Sequence, residues 1–378
     1  MAYDVIVVGG GIIGTASAYY LAKKDLKVAL LDQGALSNPV ASSCDHGRVF
    51  RLTHGKDSFY TDLARKTVPL WSEFQGEARE DLIQQNGMLE LAVGKTGFED
   101  QSAKVLEEMK IPVQKLANKV VCDRYRMMKH RSFKYALYHP DGGIIWAKKA
   151  IEAFRRLGKK IGVHTEYESK IVKVFKKKGE IDGLKDAGGK LWKAKSYVFA
   201  SGAWTTDVLK DFKLPLTVTR QEAIYLRPPR NQGRYRPAHF PIFTVSSKGF
   251  YGLPVHIHGF MKIGSHKKGP IVRKVVTPIE PDKRFEKKVR TFLKTIIPDL
   301  CDFTDVEGKV YYFTRTPDGD FLLDRLANMS NAWVAAGFSG HGPMYAPLIG
   351  RTVAELVSGG KTEINLQRFR YNRLRIKK

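Results

Sequence analysis

The chain has 378 residues and carries 64 Lys and Arg against 38 Asp and Glu, a formal net charge of +26. Its 43% hydrophobic and 27% charged residues are typical of a folded protein, which excludes a disordered tail, a collagen-like repeat and a small disulfide-stabilised module. A chain of this length usually forms two domains. Three distant cysteines without a CxxC pair, Cys44, Cys122 and Cys301, favour neither a disulfide framework nor a zinc site, and predict a reducing, cytoplasmic location.

The positive charge would suit nucleic acid or an anionic membrane. The cations are scattered, however, with small clusters such as Lys176–Lys178 and Arg368–Lys378, and no zinc-finger, RRM or KH signature accompanies them. We therefore expect solvated basic surface, a solvated C-terminal tail and no nucleic-acid partner. No stretch approaches the roughly 18 apolar residues that a membrane helix needs, and none is typical of a secretory signal, so we expect a soluble protein.

The chain opens with a pattern typical of a dinucleotide-binding unit. Asp4–Val8 predicts a buried strand, Gly9–Gly14 fits G-x-G-x-x-G, and Thr15–Lys24 predicts a helix rich in small residues. Lys27–Leu31 then predicts a second strand, which ends at Asp32. Because strand, glycines, helix, strand and acid occur in register, the combination is far more specific than the glycine motif alone.

Each glycine of this unit has a physical role. Gly9 permits a tight turn, Gly11 lets the backbone approach a pyrophosphate, and Gly14 lets helix and strand pack closely. The helix N-terminus offers free N–H groups to the phosphates. Asp32, 18 residues after Gly14, can accept hydrogen bonds from ribose hydroxyl groups. The unit assigns these residues to the cofactor: Gly9, Gly11, Ile12, Ile13, Gly14, Asp32 and Gln33.

Downstream elements indicate a second sheet of a different type. An apolar strand at Ser196–Phe199 runs into a Ser-Gly-Ala turn, whose small residues would let the chain pass close beneath a cofactor, although by itself this run is explained better as a buried strand followed by an ordinary turn. Three short runs without a βαβ rhythm predict antiparallel strands: Gly249–Leu253, Phe260–Gly264 and Lys309–Thr314. Asp182-Gly183 and the turn at Gly188-Gly189 predict a hairpin before the Ser196 strand.

Several blocks along nearly the whole chain resemble the monomeric sarcosine oxidase group of the glycine/D-amino acid oxidase superfamily, which includes N-methyltryptophan, L-pipecolate and fructosyl-amine oxidases. In the first block the R-x-x-R pair is kept, but His46-Gly47 directly precedes Arg48, so no role is transferred to His46. The resemblance favours FAD as the cofactor. It is carried by these blocks: Ser42–Arg51, Asp141–Ile145, Phe199–Trp204, Tyr251–Pro254, Met261–His266, Thr314–Asp324 and Gly337–Gly342.

The resemblance implies an α/β, two-domain fold. A discontinuous Rossmann-like FAD-binding domain would comprise residues 1–84, 142–212 and 318–378. A second, substrate-binding domain with an antiparallel sheet would comprise residues 85–141 and 213–317 and cover the flavin ring.

The resemblance also implies roles for four charged or titratable residues. Lys262 matches the lysine whose positive charge promotes reaction of reduced flavin with oxygen. Arg51 matches the arginine that pairs with a substrate carboxylate, for which a guanidinium fork is well shaped, and Arg48 matches an arginine close to the flavin. His266 matches a histidine near the substrate, although a solvated loop histidine beside Lys267 explains it almost equally well.

A glycine-rich loop, Gly340–Gly342, resembles the loop whose N–H groups face the flavin pyrimidine edge, and the helix predicted over residues 347–357 can direct its dipole there. His341 fits this role and simple loop packing equally. The remaining assignments by resemblance are Ser42, Ser43, Gly202, Trp204, Tyr311, Gly337 and Met344 at the cofactor, and Tyr251, Phe313 and Met344 at the substrate.

Three departures from the family pattern change the expectations. Tyr311 stands where the family usually has the cysteine that bonds the flavin, so we predict noncovalent FAD. Phe313 replaces a tyrosine near the substrate, and Met344 replaces a lysine that contacts the substrate carboxylate. Loss of that cation predicts weaker binding of the substrate carboxylate. Either the substrate is bulkier than sarcosine, or its carboxylate is bound by Arg51 alone.

These observations predict a monomeric FAD-dependent oxidase that converts a secondary amine or amino acid to an imine while O2 becomes H2O2. One alternative is a dehydrogenase that passes electrons to another acceptor. Another is an FAD-dependent tRNA-modifying enzyme with a basic docking surface.

Overall fold

The computed structural model describes residues 3–34, 41–43, 45–94, 97–276 and 281–374. Cys44 and the last four residues of the basic C-terminal cluster lie outside this part of the chain. The described chain is a mixed α/β structure with two large sheets, as the sequence predicts.

The strands alternate with helices in the first half of the chain and dominate the second half. In chain order they are β1 (Tyr3–Val8), β2 (Val28–Leu31), β3 (Arg48–Phe50), β4 (Ile83–Gln84), β5 (Met88–Leu91), β6 (Gln114–Ala117), β7 (Tyr135–His139), β8 (Gly143–Ile145), β9 (His164–Glu166), β10 (Ile171–Lys177), β11 (Glu180–Asp186), β12 (Leu191–Trp192), β13 (Ala194–Phe199), β14 (Thr217–Leu226), β15 (Ile242–Val245), β16 (Phe250–Leu253), β17 (Met261–Ser265), β18 (Ile271–Val272), β19 (Val306–Arg315), β20 (Leu322–Arg325) and β21 (Ala332–Ala336). The α-helices are α1 (Ile12–Ala22), α2 (Ser58–Ala78), α3 (Phe98–Glu108), α4 (Asn118–Arg124), α5 (Ala147–Lys160), α6 (Thr205–Val208), α7 (Lys283–Ile296) and α8 (Ala346–Val357).

The six-stranded sheet has the order β9-β2-β1-β13-β21-β20, and all its neighbours are parallel except the β20–β21 pair. Its central strand β1 is apolar and buried on both faces, as expected for a parallel sheet covered on both sides. Helix α1 begins at Ile12, three residues earlier than predicted, because Gly11 is extended and already acts as the N-cap. The glycine motif therefore leads straight into the helix.

Helix α1 packs tightly against α8. At Gly350 of α8, a Cβ atom would lie 2.8 Å from the carbonyl carbon of Ala16 and 2.9 Å from its oxygen. Both helices belong to one hydrophobic cluster with α2 and α5, which covers one face of the six-stranded sheet. The position of α1, and so of the glycine motif, depends on this close helix contact.

The nine-stranded sheet has the order β18-β14-β17-β16-β15-β5-β7-β6, with β19 also paired to β14 along ten residues. It is antiparallel apart from the β15–β5 pair. Helix α7 packs on it through an apolar stripe that includes Val289, Leu293 and Ile296. The three antiparallel runs expected from the sequence correspond to β16, β17 and β19.

Two small sheets complete the fold. The predicted hairpin is present as β11 and β12, extended by β10 to three antiparallel strands. The other small sheet, β3-β8-β4, places Arg48 opposite Ile145. It joins the segment after the glycine motif to the strand that precedes α5.

The prediction of a solvated C-terminal tail is wrong for residues 368–374. Arg368 pairs with both Asp57, the N-cap of α2, and Asp320, at 2.8 Å and 2.7 Å, and the neighbouring Phe369 is fully buried. Arg373 pairs with Asp318 at 2.8 Å. The cations of this segment have carboxylate partners far away in the sequence, which a count of local charge does not reveal.

Within the part of the chain that the structure describes, no helix has the length and apolar character needed to cross a membrane. The same residues contain no group of three or more His, Cys, Asp or Glu side chains arranged to hold a metal ion.

We predict that Gly350→Ala destabilises the protein by about 1–3 kcal/mol, because the added methyl group overpacks the α1–α8 contact. The matched control is Gly76→Ala in α2, where nothing lies within 4 Å of the added Cβ. This variant should gain about 0.5–1 kcal/mol from reduced backbone entropy. Urea unfolding of both variants measures the difference, and equal effects at the two sites would contradict the proposed packing constraint.

Candidate active site

A cavity of about 290 Å³ lies at the carboxyl end of β1, where a parallel α/β sheet usually binds its ligand. Its walls come from the glycine motif, the ends of β2, β13 and β21, and the start of β10. Among the residues predicted to hold the cofactor, these line it: Gly9, Gly11, Ile12, Ile13, Asp32, Gln33, Ser42, Ser43, Gly202, Trp204, Gly340 and Gly342. Phe313, expected at the substrate, also lines it.

Two glycines of the motif have no room for a side chain. A Cβ on Gly14 would lie 1.8 Å from the carbonyl oxygen of Gly9, and one on Gly9 would lie 2.5 Å from that of Ala200. Gly9 also has φ +112°, a conformation open mainly to glycine. Gly14 thus acts through packing beneath the cavity, while Gly9 brings the end of β13 against the turn.

The acidic residue at the end of β2 is held in place by backbone donors. The N–H groups of Gly10 and Gly34 donate to the Asp32 carboxylate, the latter at 2.8 Å. Arg155 of α5 donates to the carbonyl of Gly10 at 2.8 Å and lies 4.0 Å from Asp32. This arrangement fixes the carboxylate at the cavity wall, where it can accept hydrogen bonds from hydroxyl groups.

The opposite wall is a loop after β21 that is tied to the end of β19. The N–H groups of Gly337 and Ser339 donate to Thr314, at 3.2 Å and 3.0 Å. Gly340 has φ +89°, and a Cβ there would lie 2.4 Å from the Phe313 ring. The loop can therefore come this close to Phe313 only with glycine.

These features fit a dinucleotide cofactor. The cavity has a glycine-rich wall, a carboxylate at the end of β2, and an α-helix N-terminus directed at it. One backbone donor of that terminus, the N–H of Ile12, is bonded to Ser43 Oγ at 3.2 Å. No cysteine is among the described residues that line the cavity, and Cys301 packs in the cluster around α7.

Beside this cavity lies a fully buried ion pair. Lys262 Nζ of β17 is 2.5 Å from Asp45 Oδ2 and also donates to the Gly47 carbonyl at 3.3 Å. The exposed fractions of the two side chains are 0% and 1%. Lys262 is thus an interior cation with a carboxylate partner rather than a surface lysine of a half-exposed strand.

Other groups complete the surroundings of Asp45. The Tyr225 hydroxyl donates a hydrogen bond to Asp45, and the Arg48 guanidinium lies 3.5 Å from the same carboxylate. Arg48 also donates to the Ser42 carbonyl and stacks 4.7 Å from the centre of the Tyr311 ring. Burial by itself would raise the pKa of Asp45, but Lys262 and Arg48 overcome this and hold it well below its usual value. The cluster is therefore ionised, with two cations for one anion.

Tyr311 is a buried aromatic residue at the centre of β19. Its ring lies 5.6 Å from Lys262 Nζ, and its hydroxyl is 3.5 Å from that of Tyr251. Tyr311 therefore belongs to the ion cluster rather than to the cavity wall.

Arg51 lies in a different environment from Arg48. Its half-buried guanidinium makes no ion pair within the described chain, and it stacks loosely on Phe98, 5.9 Å from the ring centre. Four histidines feel its charge: His54, His139, His266 and His341. The charge of Arg51 also acts on the buried Glu90 carboxyl, but burial prevails and raises the pKa of Glu90 above its usual value, so Arg51 remains a cation without an ion pair in the described chain.

These histidines are neutral at physiological pH. Burial, reinforced by the charge of Arg51, lowers the pKa of His139 and of His341 to about 3, and it lowers the pKa of His54 well below 6.5. Both ring nitrogens of His139 are buried without a partner in the described chain. The site offers imidazole nitrogens without adding positive charge.

The remaining predicted residues take different positions. The Met344 side chain is buried in the hydrophobic cluster around α1, and its carbonyl accepts a hydrogen bond from Trp71 at 2.9 Å. His266 is exposed, and its ring stacks 6.5 Å from Tyr251. Neither Met344 nor His266 lines the cavity at the glycine motif, and their roles stay predictions, like those of the other site residues.

Sequence reasoning missed several residues of the site. Asp45 had a local signal, since it stands three residues before Arg48 within a conspicuous motif. Arg155 and the start of β10 had none, because they reach the cavity only through tertiary folding. The same is true of His54 and His139 near Arg51.

Comparison with known proteins agrees with this geometry. The chain is 29% identical over 390 residues to monomeric sarcosine oxidase of Bacillus sp. (strain NS-129), covering 100% of this chain and 98% of that protein. It is 29% identical over 392 residues to human peroxisomal sarcosine oxidase, covering 98% and 96%. The crystal structure of L-proline dehydrogenase from P. horikoshii has the same fold, with a TM-score of 0.87 and 22% identity over 98% of this chain and 97% of that one. Residues 4–356 match the model of the FAD dependent oxidoreductase family, DAO, and the chain belongs to that family.

Proposed function

We propose that the protein oxidises the C–N bond of a secondary amine or an amino acid that carries a carboxylate, with noncovalent FAD as cofactor and O2 as acceptor. The observation that carries the proposal is Arg51, a half-buried guanidinium without a carboxylate partner in the described chain. An arginine in this state is well suited to bind a carboxylate in two-point geometry. The names of the relatives, sarcosine oxidases and N-methyl-L-tryptophan oxidase, support the same substrate class.

FAD held in the cavity by the glycine motif, Asp32 and Ser43 would supply the two-electron redox chemistry between the substrate and oxygen. In the balanced reaction the substrate loses two electrons and two protons to give an imine, and O2 gains them to give H2O2.

The residues of the chain orient the substrate and control its charge. Arg51 would bind the carboxylate, and the neutral imidazoles of His139 and His341 would not repel an amine. With pKa values of about 3 these imidazoles are too weakly basic to take a proton from a substrate ammonium, but their unprotonated nitrogens can accept a hydrogen bond from its N–H. Lys262 and Arg48 would place positive charge beside the reduced flavin, where negative charge builds up during the reaction.

A division into two domains is part of this proposal. All strands of the six-stranded sheet fall in residues 1–84, 142–212 and 318–378, which we assign to the FAD domain. All strands of the nine-stranded sheet fall in residues 85–141 and 213–317, which we assign to the substrate domain. The ion cluster links them, because Asp45 belongs to the first set and Lys262 to the second.

We predict that small N-alkyl amino acids or cyclic imino acids bleach the flavin absorbance under anaerobic conditions, whereas amines without a carboxylate do so only at far higher concentration. Arg51→Gln should raise the KM for the carboxylate substrate by about 10- to 100-fold, because a charge-assisted pair contributes about 1.5–3 kcal/mol. Arg131→Gln, an exposed arginine distant from the cavity residues in sequence, is the control. A panel without any bleaching amine or amino acid would refute the proposed function.

We predict that FAD is released when the protein is denatured, because Tyr311 stands where the resembled group has its attachment cysteine. Precipitation in acid should leave a colourless pellet and a yellow supernatant. A yellow pellet would show a covalent bond. Cys301→Ser and Cys122→Ser would then test whether either described cysteine provides it.

A second candidate function is a dehydrogenase that passes electrons to an acceptor other than O2. The observation in its favour is the ion pair between Asp45 and Lys262, which offsets the lysine charge that would otherwise favour reduction of oxygen. Peroxide formed in step with oxygen consumption would support the oxidase, whereas substrate-driven flavin reduction followed by slow reoxidation in air would support the dehydrogenase.

We predict that Asp45→Asn increases the rate at which the substrate-reduced enzyme reacts with O2 by about tenfold, because the charge of Lys262 is no longer offset. Stopped-flow mixing with air-saturated buffer measures this rate. Tyr225→Phe is the matched control, since it removes a hydrogen bond to Asp45 but leaves its charge, and should stay within about twofold of the natural protein. An unchanged rate in Asp45→Asn would mean that Asp45 does not govern oxygen reactivity.

A further inference from the structure

A second concave surface lies on the nine-stranded sheet, away from the glycine motif. It is a groove of about 1210 Å³ between helix α7 and the sheet. Its lining comes from Val93 and from five further chain segments, within residues 129–132, 220–222, 248–250, 265–270 and 284–296, and we call it the basic groove. None of its residues takes part in the site described above.

The charge of the basic groove is almost entirely of one sign. Nine Lys and Arg side chains line it against a single acid, Glu222, whereas the whole chain has 64 against 38. Glu222 is already paired with Arg220 at 2.7 Å and accepts the Asp282 N–H. The other eight cations, among them Lys268, Lys287 and Lys288, form no ion pair with the carboxylates that the structure describes. The described carboxylates therefore leave most of this charge without an ion-pair partner.

Helix α7 holds much of this charge in a fixed position. Its apolar stripe is buried against the sheet, so that Arg284, Lys287 and Lys288 remain exposed along one side of the groove. The turn before β16 and the loop after β17 place Lys248 and Lys268 across from them in the lining of the same groove. The cations thus line a channel instead of a flat surface.

The floor of the basic groove is aromatic. Phe250 and Phe285 are half-buried in the lining, and the Phe250 ring stacks on Phe292 with 4.6 Å between ring centres. A positively charged channel with an aromatic floor is the arrangement with which proteins bind single-stranded nucleic acid, since phosphates meet the cations and bases lie on the rings.

We propose that the basic groove binds single-stranded nucleic acid. A flat anionic bilayer would reach the rim cations but not the aromatic floor, so the concave shape favours a strand over a membrane. The proposal is independent of the oxidoreductase function. It differs from the expectation drawn from the scattered cations of the sequence, because folding gathers cations from five separate segments.

The test uses the FAD-loaded, full-length protein and a fluorescein-labelled 12-nucleotide oligo-dT, with fluorescence anisotropy from 50 to 300 mM KCl. If about five phosphates are contacted, the logarithm of the binding constant should fall with the logarithm of salt concentration with a slope of about −3.5. The triple variant K268E/K287E/K288E should bind at least tenfold more weakly, with a slope reduced in magnitude by about 2.

The matched control is K149E/K159E/K160E on helix α5, which changes the net charge by the same amount at exposed lysines outside the groove. It should retain affinity within about threefold. Flavin absorbance and circular dichroism establish that both variants are folded. Equal losses in the two variants, or binding to phosphatidylserine vesicles without binding to the oligonucleotide, would overturn the proposal.

Discussion

The buried ion pair between Lys262 and Asp45 is the interaction on which the candidate site depends. It joins a strand of the nine-stranded sheet to the segment that follows the dinucleotide-binding unit, and both side chains are shielded from water. Ions in such a position are tolerable only when paired and hydrogen-bonded, a condition that Arg48, Tyr225 and the Gly47 carbonyl help to meet. The relative position of the two sheets around the cavity is therefore coupled to its electrostatics.

The two arginines of the R-x-x-R pair lie in different environments. Arg48 is committed to Asp45, Ser42 and the Tyr311 ring. Arg51 directly follows the last residue of the short strand β3 and makes no ion pair with the described carboxylates. This difference suits the separate cofactor and substrate roles that we propose for them.

The sequence was sufficient for features that depend on neighbours along the chain. The strand, Gly9–Gly14 and the following helix were predicted within three residues, because glycine geometry and apolar periodicity act locally. The partner of Lys262 was not predicted, because Asp45 lies 217 residues away and only the folded sheet brings them together. The same reason explains the pairing of Arg368 with Asp57 and the gathering of cations in the basic groove.

The order of strands in the six-stranded sheet has a consequence for how the protein is made. Strand β1 lies in the middle of the sheet, and one of its two neighbours is β13, which follows nearly 190 residues later. The next strand in that direction, β21, comes close to the end of the chain, and the Arg368 contacts come later still. A sheet with such distant pairings closes slowly, and its apolar central edge stays open during synthesis. The side of β1 that pairs with β13 therefore stays unpaired until β13 has been synthesised.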